Sequence, residues 1–249
     1  MLTLGLLETD TLYPDLQPDY RSYGWMFEQY FRRIAPFIDW QFRYYDVQDG
    51  ELPAPGDCDA YLITGSKAGV YDPLPWILPL QEWIKAAHQH GERMIGICFG
   101  HQLLAHTLGG FAARSPRGWG IGIRESAVIE LPDWIRERTD RYRLIYSHRD
   151  QVETLPPQAT RLAACPFCPN AAFYIDNRVL AFQGHPEFSL EYTLRLLPRR
   201  QSCIGEPVYG QGMASLQGSD GQPASTDSEL IGRWMTAFIS QNADATPAR

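Results

Sequence analysis

Short apolar runs alternate with helical stretches over the first 110 residues. The runs of strand character are Leu2–Leu7, Gln41–Val47, Ala60–Thr64 and Met94–Ile97. The helical stretches between and after them are Ser22–Phe37, Trp76–His90 and Phe99 to about Leu108. This alternation is typical of βαβ units around a parallel sheet, and burial of both sheet faces explains why most runs are continuously apolar. We therefore expect an α/β fold with a mostly parallel central sheet flanked by helices.

The second half of the chain predicts an added β-rich segment. Its expected strands are Ile121–Leu131, Arg143–Ser147, Arg161–Cys165, Ala172–Ile175 and Val179–Gln183. Its expected helices are Ser189–Arg200 and Glu229–Ser240, with a Gly-, Gln- and Ser-rich loop at Pro207–Ser228 and a frayed tail at Asn242–Arg249. Neither a repeat nor a clear linker interrupts the chain. We expect one domain over residues 1–249, with a core of about 1–200 and a loop and C-terminal helix in 201–249.

Composition and charge narrow the function classes. A hydrophobic content of 44% supports a sizeable core, and the net charge of −7 gives no electrostatic footprint for nucleic acid or an anionic membrane. The pairs of basic residues, such as Arg199-Arg200, are interpreted as solvated faces. Five irregularly spaced cysteines argue against a disulfide framework. With neither a signal peptide nor a membrane span expected, these features favour a reducing cytoplasm.

The stretch Gly96-Ile97-Cys98-Phe99-Gly100 joins a predicted strand to a predicted helix. Glycines two residues before and after the cysteine give G-x-C-x-G, the sulfur version of the G-x-S-x-G nucleophile elbow. Such a turn brings backbone segments so close that a Cβ at either glycine would clash. The helix start adds N–H donors and a positive dipole end, both of which favour a thiolate. We therefore predict that Cys98 is a nucleophile rather than a buried structural cysteine.

A nucleophilic cysteine needs an imidazole, and His185 is the strongest of six candidates. It follows the strand Val179–Gln183, and Glu187 comes two residues later, where an extended segment would point both side chains the same way. Glu187 could then hold the imidazole tautomer while the other ring nitrogen faces Cys98. His148 is the runner-up base, because it lies in a polar cluster after another strand. A structural His–Glu pair is the alternative interpretation of His185 and Glu187.

Backbone N–H groups are needed to stabilise the negative charge of a tetrahedral intermediate. Phe99, the residue after the nucleophile, supplies one naturally. Gly65-Ser66 directly follows the strand Ala60–Thr64 and would reach the same carboxyl edge of the sheet, where ligands bind in open α/β folds. We predict an oxyanion hole from these segments; an ordinary glycine turn at Gly65 is the alternative.

Together, Gly96-Ile97-Cys98-Phe99-Gly100-His101-Gln102 and Gln183-Gly184-His185-Pro186-Glu187 resemble the class I glutamine amidotransferase family. The resemblance implies a flavodoxin-like fold, a Cys98–His185–Glu187 triad and an oxyanion hole near Gly65, Ser66 and Phe99. It also implies that Gln102 lines a glutamine pocket and that the Ser147-His148-Arg149-Asp150 segment borders it. The implied activity is hydrolysis of the glutamine γ-amide through a γ-glutamyl thioester, with no cofactor and no metal.

One departure affects the expected substrate. Guanosine monophosphate synthetase-type members carry Gly-Gly-Pro where this chain has Gly65-Ser66-Lys67, and the Gly-Ser form resembles the stand-alone branch that includes γ-glutamyl peptidases. Two enzyme functions stay open: a glutaminase that passes ammonia to a separate synthetase, and a free-standing γ-glutamyl hydrolase. The third alternative is a non-catalytic redox-sensing module. Cys165-Pro166-Phe167-Cys168 is interpreted as a loop, since it lacks a second metal-ligand pair and a following helix.

Overall fold

A nine-stranded mixed sheet organises the protein in the computed structural model, which describes residues 1–218 and 224–241. The strands of this sheet and of a smaller two-stranded sheet are, in chain order, β1 (Leu2–Glu8), β2 (Trp40–Asp46), β3 (Ala60–Ile63), β4 (Met94–Ile97), β5 (Phe111–Arg114), β6 (Gly120–Val128), β7 (Arg141–His148), β8 (Asp150–Thr154), β9 (Thr160–Ala164), β10 (Ala172–Ile175) and β11 (Val179–Phe182). The large sheet has the order β2-β1-β3-β4-β11-β10-β9-β6-β7. The first five of these are parallel and the last four extend the sheet antiparallel.

Helices cover the sheet and connect its strands. They are α1 (Gln17–Tyr20), α2 (Tyr23–Ile34), α3 (Ile77–His90), α4 (Phe99–Thr107), α5 (Leu190–Leu196), α6 (Gln201–Ile204), α7 (Val208–Ser215) and α8 (Ser228–Ile239), with 3₁₀ turns at Val47–Asp49 and Leu197–Arg200. Local signals explain several boundaries. The Ser22 side chain accepts from the Trp25 N–H and caps α2. Gly91, at φ 88°, ends α3 in the left-handed conformation.

The sheet buries both of its faces. One face packs with α2 and α8 around Leu6, Phe27 and Trp234, and the opposite face packs with α3 and α4 around Ile63 and Leu80. Every residue of β3 and β4 is buried, which explains why these strands read as continuous apolar runs. The expected α/β fold with a mostly parallel core and a β-rich addition is confirmed.

Among the elements that the sequence did not predict are the strands β5 and β8 and the helices α1, α6 and α7. The small antiparallel sheet of β5 and β8 was not predicted, because these segments mix polar and apolar residues and depend on their pairing and on packing against α4. The loop predicted at Pro207–Ser228 is wrong over Val208–Ser215, which forms α7. This helix packs on β6, where the Ser215 Oγ accepts from the Ile123 N–H at 2.9 Å. Residues 219–223 and the tail expected at Asn242–Arg249 lie outside the described residues.

The single-domain organisation stays a prediction. Among the helices of residues 1–218 and 224–241, none has the length and apolar character that a membrane crossing needs.

Candidate active site

Cys98 lies in a tight turn between β4 and α4. Its φ of 54° and ψ of −99° are unusual for a residue with a side chain, as expected of a strained elbow. A Cβ on Gly96 would lie 2.6 Å from the backbone of Gly100, and a Cβ on Gly100 would lie 2.3 Å from the Ile63 carbonyl oxygen. The predicted reason for both glycines, close approach of backbone segments, is therefore confirmed.

The parallel pairing of β4 with β11 brings His185 to the elbow. The Cys98 N–H donates to the Phe182 carbonyl at 2.9 Å, so the segment after β11 starts beside the cysteine. The His185 N–H in turn donates to the Ile145 carbonyl of β7 at 2.8 Å. The backbone of His185 is thus positioned by β11, which precedes it in the chain, and by β7, to which it is hydrogen-bonded.

The His185 imidazole is fixed on two sides. Its Nδ1 lies 2.7 Å from Oε1 of Glu187, and both side chains are buried. The Phe188 ring stacks on the imidazole with centroids 3.9 Å apart and planes within 10°. The structure therefore brings together the two residues that the sequence predicted to pair, and it adds an aromatic neighbour.

Two neighbouring side chains influence the protonation of His185. Burial alone lowers the pKa of His185, but the Glu187 carboxylate and the Cys98 sulfur outweigh burial and raise that pKa from 6.5 to about 10. At neutral pH the imidazole is therefore held in its protonated form, beside the sulfur.

The end of β3 lies against the same pair. A Cβ on Gly65 would lie 2.9 Å from Cε1 of His185 and 3.6 Å from Cβ of Cys98, so only a residue without a side chain fits there unchanged. Ser66 lines the adjacent cavity, and its Oγ accepts from the Ala68 N–H at 3.2 Å. Phe99 is the first residue of α4, where backbone N–H groups have no partner within the helix.

A cavity of about 310 Å³ opens beside Cys98. It is lined by Tyr13, Ser66, Lys67, Ala68, Gly69, Tyr71, Asp72, Cys98, Gln102, Arg114, Trp119, Ser147, His148, Arg149, Asp150, Arg200 and Cys203. Gln102 is anchored in this wall, because its Nε2 donates to the Asp150 carbonyl at 2.7 Å and to Oε1 of Gln183 at 3.0 Å. The residues that the resemblance assigned to a glutamine pocket, Gln102, Ser147 and His148, all border the cavity.

His148 is placed differently from His185. Its Nδ1 donates to the Asp150 carbonyl at 2.9 Å, and burial lowers its pKa to about 3. The ring is therefore neutral at physiological pH. Of the two candidate bases, His185 is the one that lies close enough to the Cys98 sulfur for the sulfur to raise its pKa.

Phe188 and Arg200 are among the residues at the site that the sequence analysis missed. Phe188, which stacks on His185, directly follows Glu187 but has no motif of its own. The interpretation of Arg200 as part of a solvated face is wrong, since Arg200 is only 9% exposed and lines the cavity. A signal existed for Arg200: it lies four and eight residues beyond the buried Leu196 and Tyr192, on the same helical stripe.

The Cys165–Cys168 segment forms a turn between β9 and β10, which confirms its interpretation as a loop. The Cys168 N–H donates to Sγ of Cys165 at 3.2 Å. Nowhere in residues 1–218 and 224–241 do three His, Cys, Asp or Glu side chains converge as a metal site would require.

The fold and this site define a class of protein. The chain belongs to the class I glutamine amidotransferase family, whose model matches residues 19–199. Among its relatives is γ-glutamyl peptidase 3 of Arabidopsis thaliana, 30% identical over 64% of this chain and 68% of that protein. A glutamine-hydrolysing GMP synthase of Aeropyrum pernix is 37% identical over 48% of this chain, but over only 23% of the synthase.

Solved structures agree on the architecture. A glutamine amidotransferase of Thermotoga maritima superimposes with a TM-score of 0.72, covering 96% of this chain and 99% of the other at 20% identity. At that identity the likeness concerns the fold, and it confirms the expected flavodoxin-like arrangement of a class I amidotransferase.

Proposed function

We propose that the protein is a cysteine amidohydrolase that cleaves the γ-amide bond of a γ-glutamyl compound. The observation that carries this proposal is the arrangement of Cys98, His185 and Glu187. The sulfur lies close enough to the buried His185 imidazole to raise the pKa of that ring, the Glu187 carboxylate lies 2.7 Å from the imidazole, and the sulfur borders a cavity. Nucleophile, proton donor and orienting carboxylate are the three groups that amide cleavage by a thiol needs.

The acylation step uses the protonated imidazole. The Cys98 thiolate attacks the γ-carbonyl carbon, and the C–S bond forms as the carbonyl electrons move onto oxygen. The N–H groups of Phe99 and the Gly65-Ser66 segment are the proposed donors to that oxyanion. His185 gives its proton to the leaving nitrogen, the C–N bond breaks, and the amine or ammonia departs from a γ-glutamyl thioester.

The thioester is then hydrolysed. His185, now neutral, accepts a proton from water as the oxygen attacks the thioester carbonyl. Collapse of the second tetrahedral intermediate breaks the C–S bond and releases glutamate. The thiolate and the imidazolium are restored, so one water is consumed in each cycle.

Two substrates fit this chemistry. Glutamine would yield ammonia for a separate synthetase, as a GMP synthase-like relative suggests. A γ-glutamyl peptide would yield an amino acid or peptide and needs no partner. The similarity to γ-glutamyl peptidase 3, which extends over most of that protein, favours the second. Cytoplasmic action follows as an expectation, because the proposed thiolate needs a reducing environment.

The decisive assay compares Cys98→Ala with the wild type. We expect Cys98→Ala to lower amine release from γ-glutamyl peptides and ammonia release from glutamine by at least about 10³-fold. Cys165→Ala, which removes a cysteine outside the cavity, is the matched control. Equal rates for Cys98→Ala and wild type would refute the proposal. Glutaminase activity that appears only with a co-purifying protein would select the synthetase-linked function.

The non-catalytic alternative has its own test. A glutamine-like diazo-ketone should alkylate Cys98 stoichiometrically and rapidly, and glutamine should block the labelling. A redox-sensing module would show no protection by glutamine.

A further inference from the structure

The cavity wall contains a buried cation without an acidic partner. Arg200 is 9% exposed, whereas the other cationic side chains around the cavity, Lys67, Arg114 and Arg149, are exposed. Across the described part of the chain, no carboxylate lies within ion-pair distance of the Arg200 guanidinium. A buried charge is costly unless it is paired, so its presence in a cavity wall needs an explanation.

Neutral oxygen atoms surround the guanidinium. Nη1 of Arg200 donates to Oγ of Ser147 at 2.8 Å and lies 3.3 Å from the Ser147 carbonyl oxygen. The hydroxyls of Tyr13, Tyr23 and Tyr192 lie close enough to interact electrostatically with Arg200. These contacts orient the guanidinium but leave its charge uncompensated.

We propose that Arg200, oriented by Ser147, is the carboxylate-binding group of the substrate site. This inference rests on the proposed function, because it assigns a ligand to the cavity that contains Cys98. A guanidinium offers donors in a planar fork that matches a carboxylate, and the bond is strong where water is excluded. Every γ-glutamyl compound has an α-carboxylate, and a γ-glutamyl dipeptide has a second one on its leaving amino acid.

The neighbouring residue provides a matched control. Arg199 is adjacent in the chain, but it faces solvent and pairs with Asp15. A purely structural role for Arg200 would be to tie the end of the 3₁₀ turn Leu197–Arg200 to β7 through Ser147. That role would affect all ligands equally, whereas carboxylate recognition affects only ligands that carry the recognised carboxylate.

The test measures binding by calorimetry in a Cys98→Ala background, which lacks the proposed nucleophile. The ligands are γ-glutamyl-alanine; γ-glutamyl-ethylamide, which lacks the leaving-group carboxylate; and 4-aminobutanoyl-alanine, which lacks the α-carboxylate. Adding Arg200→Gln should weaken binding of γ-glutamyl-alanine roughly 10- to 100-fold, the size of a lost charge-assisted contact. Arg199→Gln should leave the dissociation constants unchanged.

The two truncated ligands identify the source of the carboxylate. If Arg200→Gln spares only γ-glutamyl-ethylamide, Arg200 binds the leaving group. If it spares only 4-aminobutanoyl-alanine, Arg200 binds the α-carboxylate. Equal weakening of all three ligands, or no weakening of any, overturns the inference.

A second variant covers the case in which Arg200→Gln does not fold, as thermal unfolding would show. Arg200→Lys keeps the positive charge but loses the fork, so it should fold and give an intermediate loss with the same ligand selectivity. Equal effects on all three ligands would again overturn the inference. Failure of the proposed function would appear separately, as an inactive wild type or an active Cys98→Ala.

Discussion

Nδ1 of His185 lies 2.7 Å from Oε1 of Glu187, and the chemistry proposed for Cys98 depends on this contact. The two residues are two positions apart in the chain, so the local backbone alone can bring them together. The position of the pair relative to the sulfur, in contrast, depends on β11 pairing with β4. A local contact and a long-range strand pairing together place the His185 imidazole beside the sulfur of Cys98.

Removing the carboxylate charge should impair the chemical step. We expect Glu187→Gln to lower kcat for γ-glutamyl hydrolysis by about 10²- to 10⁴-fold, because the imidazole loses its orienting and charge-stabilising partner. KM should change little, since Glu187 does not line the cavity beside Cys98. Glu191→Gln, which neutralises an exposed carboxylate on α5, is the control. Wild-type kcat in Glu187→Gln would contradict the proposed role.

The activity should persist to high pH and then fall. Acylation needs the proton on His185, and the pKa of that imidazole is raised to about 10 because the Glu187 carboxylate and the Cys98 sulfur together outweigh the opposing effect of burial. Raising the pH through about 10 removes this proton, so kcat/KM should decrease there. In Glu187→Gln one favourable charge is lost, and the decrease should move to lower pH. A pH profile of kcat/KM for both proteins checks this, and an unmoved alkaline limb would count against it.

Gly65 should tolerate no side chain without loss of rate. In Gly65→Ala the new Cβ would meet Cε1 of His185 at 2.9 Å, so the ring or the β3 end must shift. A displaced imidazole no longer aligns with Cys98, and we expect kcat to fall by roughly 10- to 100-fold. Thermal unfolding, measured beside kcat, separates this effect from a loss of folded protein. A folded variant with unchanged kcat would refute the expectation.

Gly100 should matter for stability as well as for activity. In Gly100→Ala the Cβ would lie 2.3 Å from the Ile63 carbonyl oxygen, a backbone atom that cannot move without disturbing β3. We expect the free energy of unfolding to fall by about 1–3 kcal/mol or more. Gly210→Ala on the exposed surface of α7 meets only the end of the Glu206 side chain, and it should be neutral or stabilising. Denaturant unfolding of both variants provides the comparison.

The apolar pattern predicted the parallel core because a fully buried strand appears in the sequence as an uninterrupted apolar run. β3 and β4 have no exposed residue, and no polar position interrupts them. The pattern failed for α7, whose Gly-rich sequence has weak helix propensity. There, contact with β6 stabilises a helix that the local sequence does not specify.

The candidate site divides in the same way. The elbow at Cys98 and the His185–Glu187 pair were predictable, since both depend on residues within a few positions of each other. The contact of Gly65 with His185, and the burial of Arg200 against Ser147, were not. Each joins segments separated by more than 50 residues, and which segments meet depends on strand order and helix packing.

By itself the sequence determined the local geometry: strands from apolar runs, a strained turn from two glycines, and a carboxylate placed to orient an imidazole. Only the tertiary structure decided which of these segments line the same cavity and that the charge of Arg200 is buried in its wall. The physical reason is that backbone conformation and short-range sterics act between chain neighbours. Desolvation and electrostatic coupling depend instead on every atom packed around a group, whatever its distance along the chain.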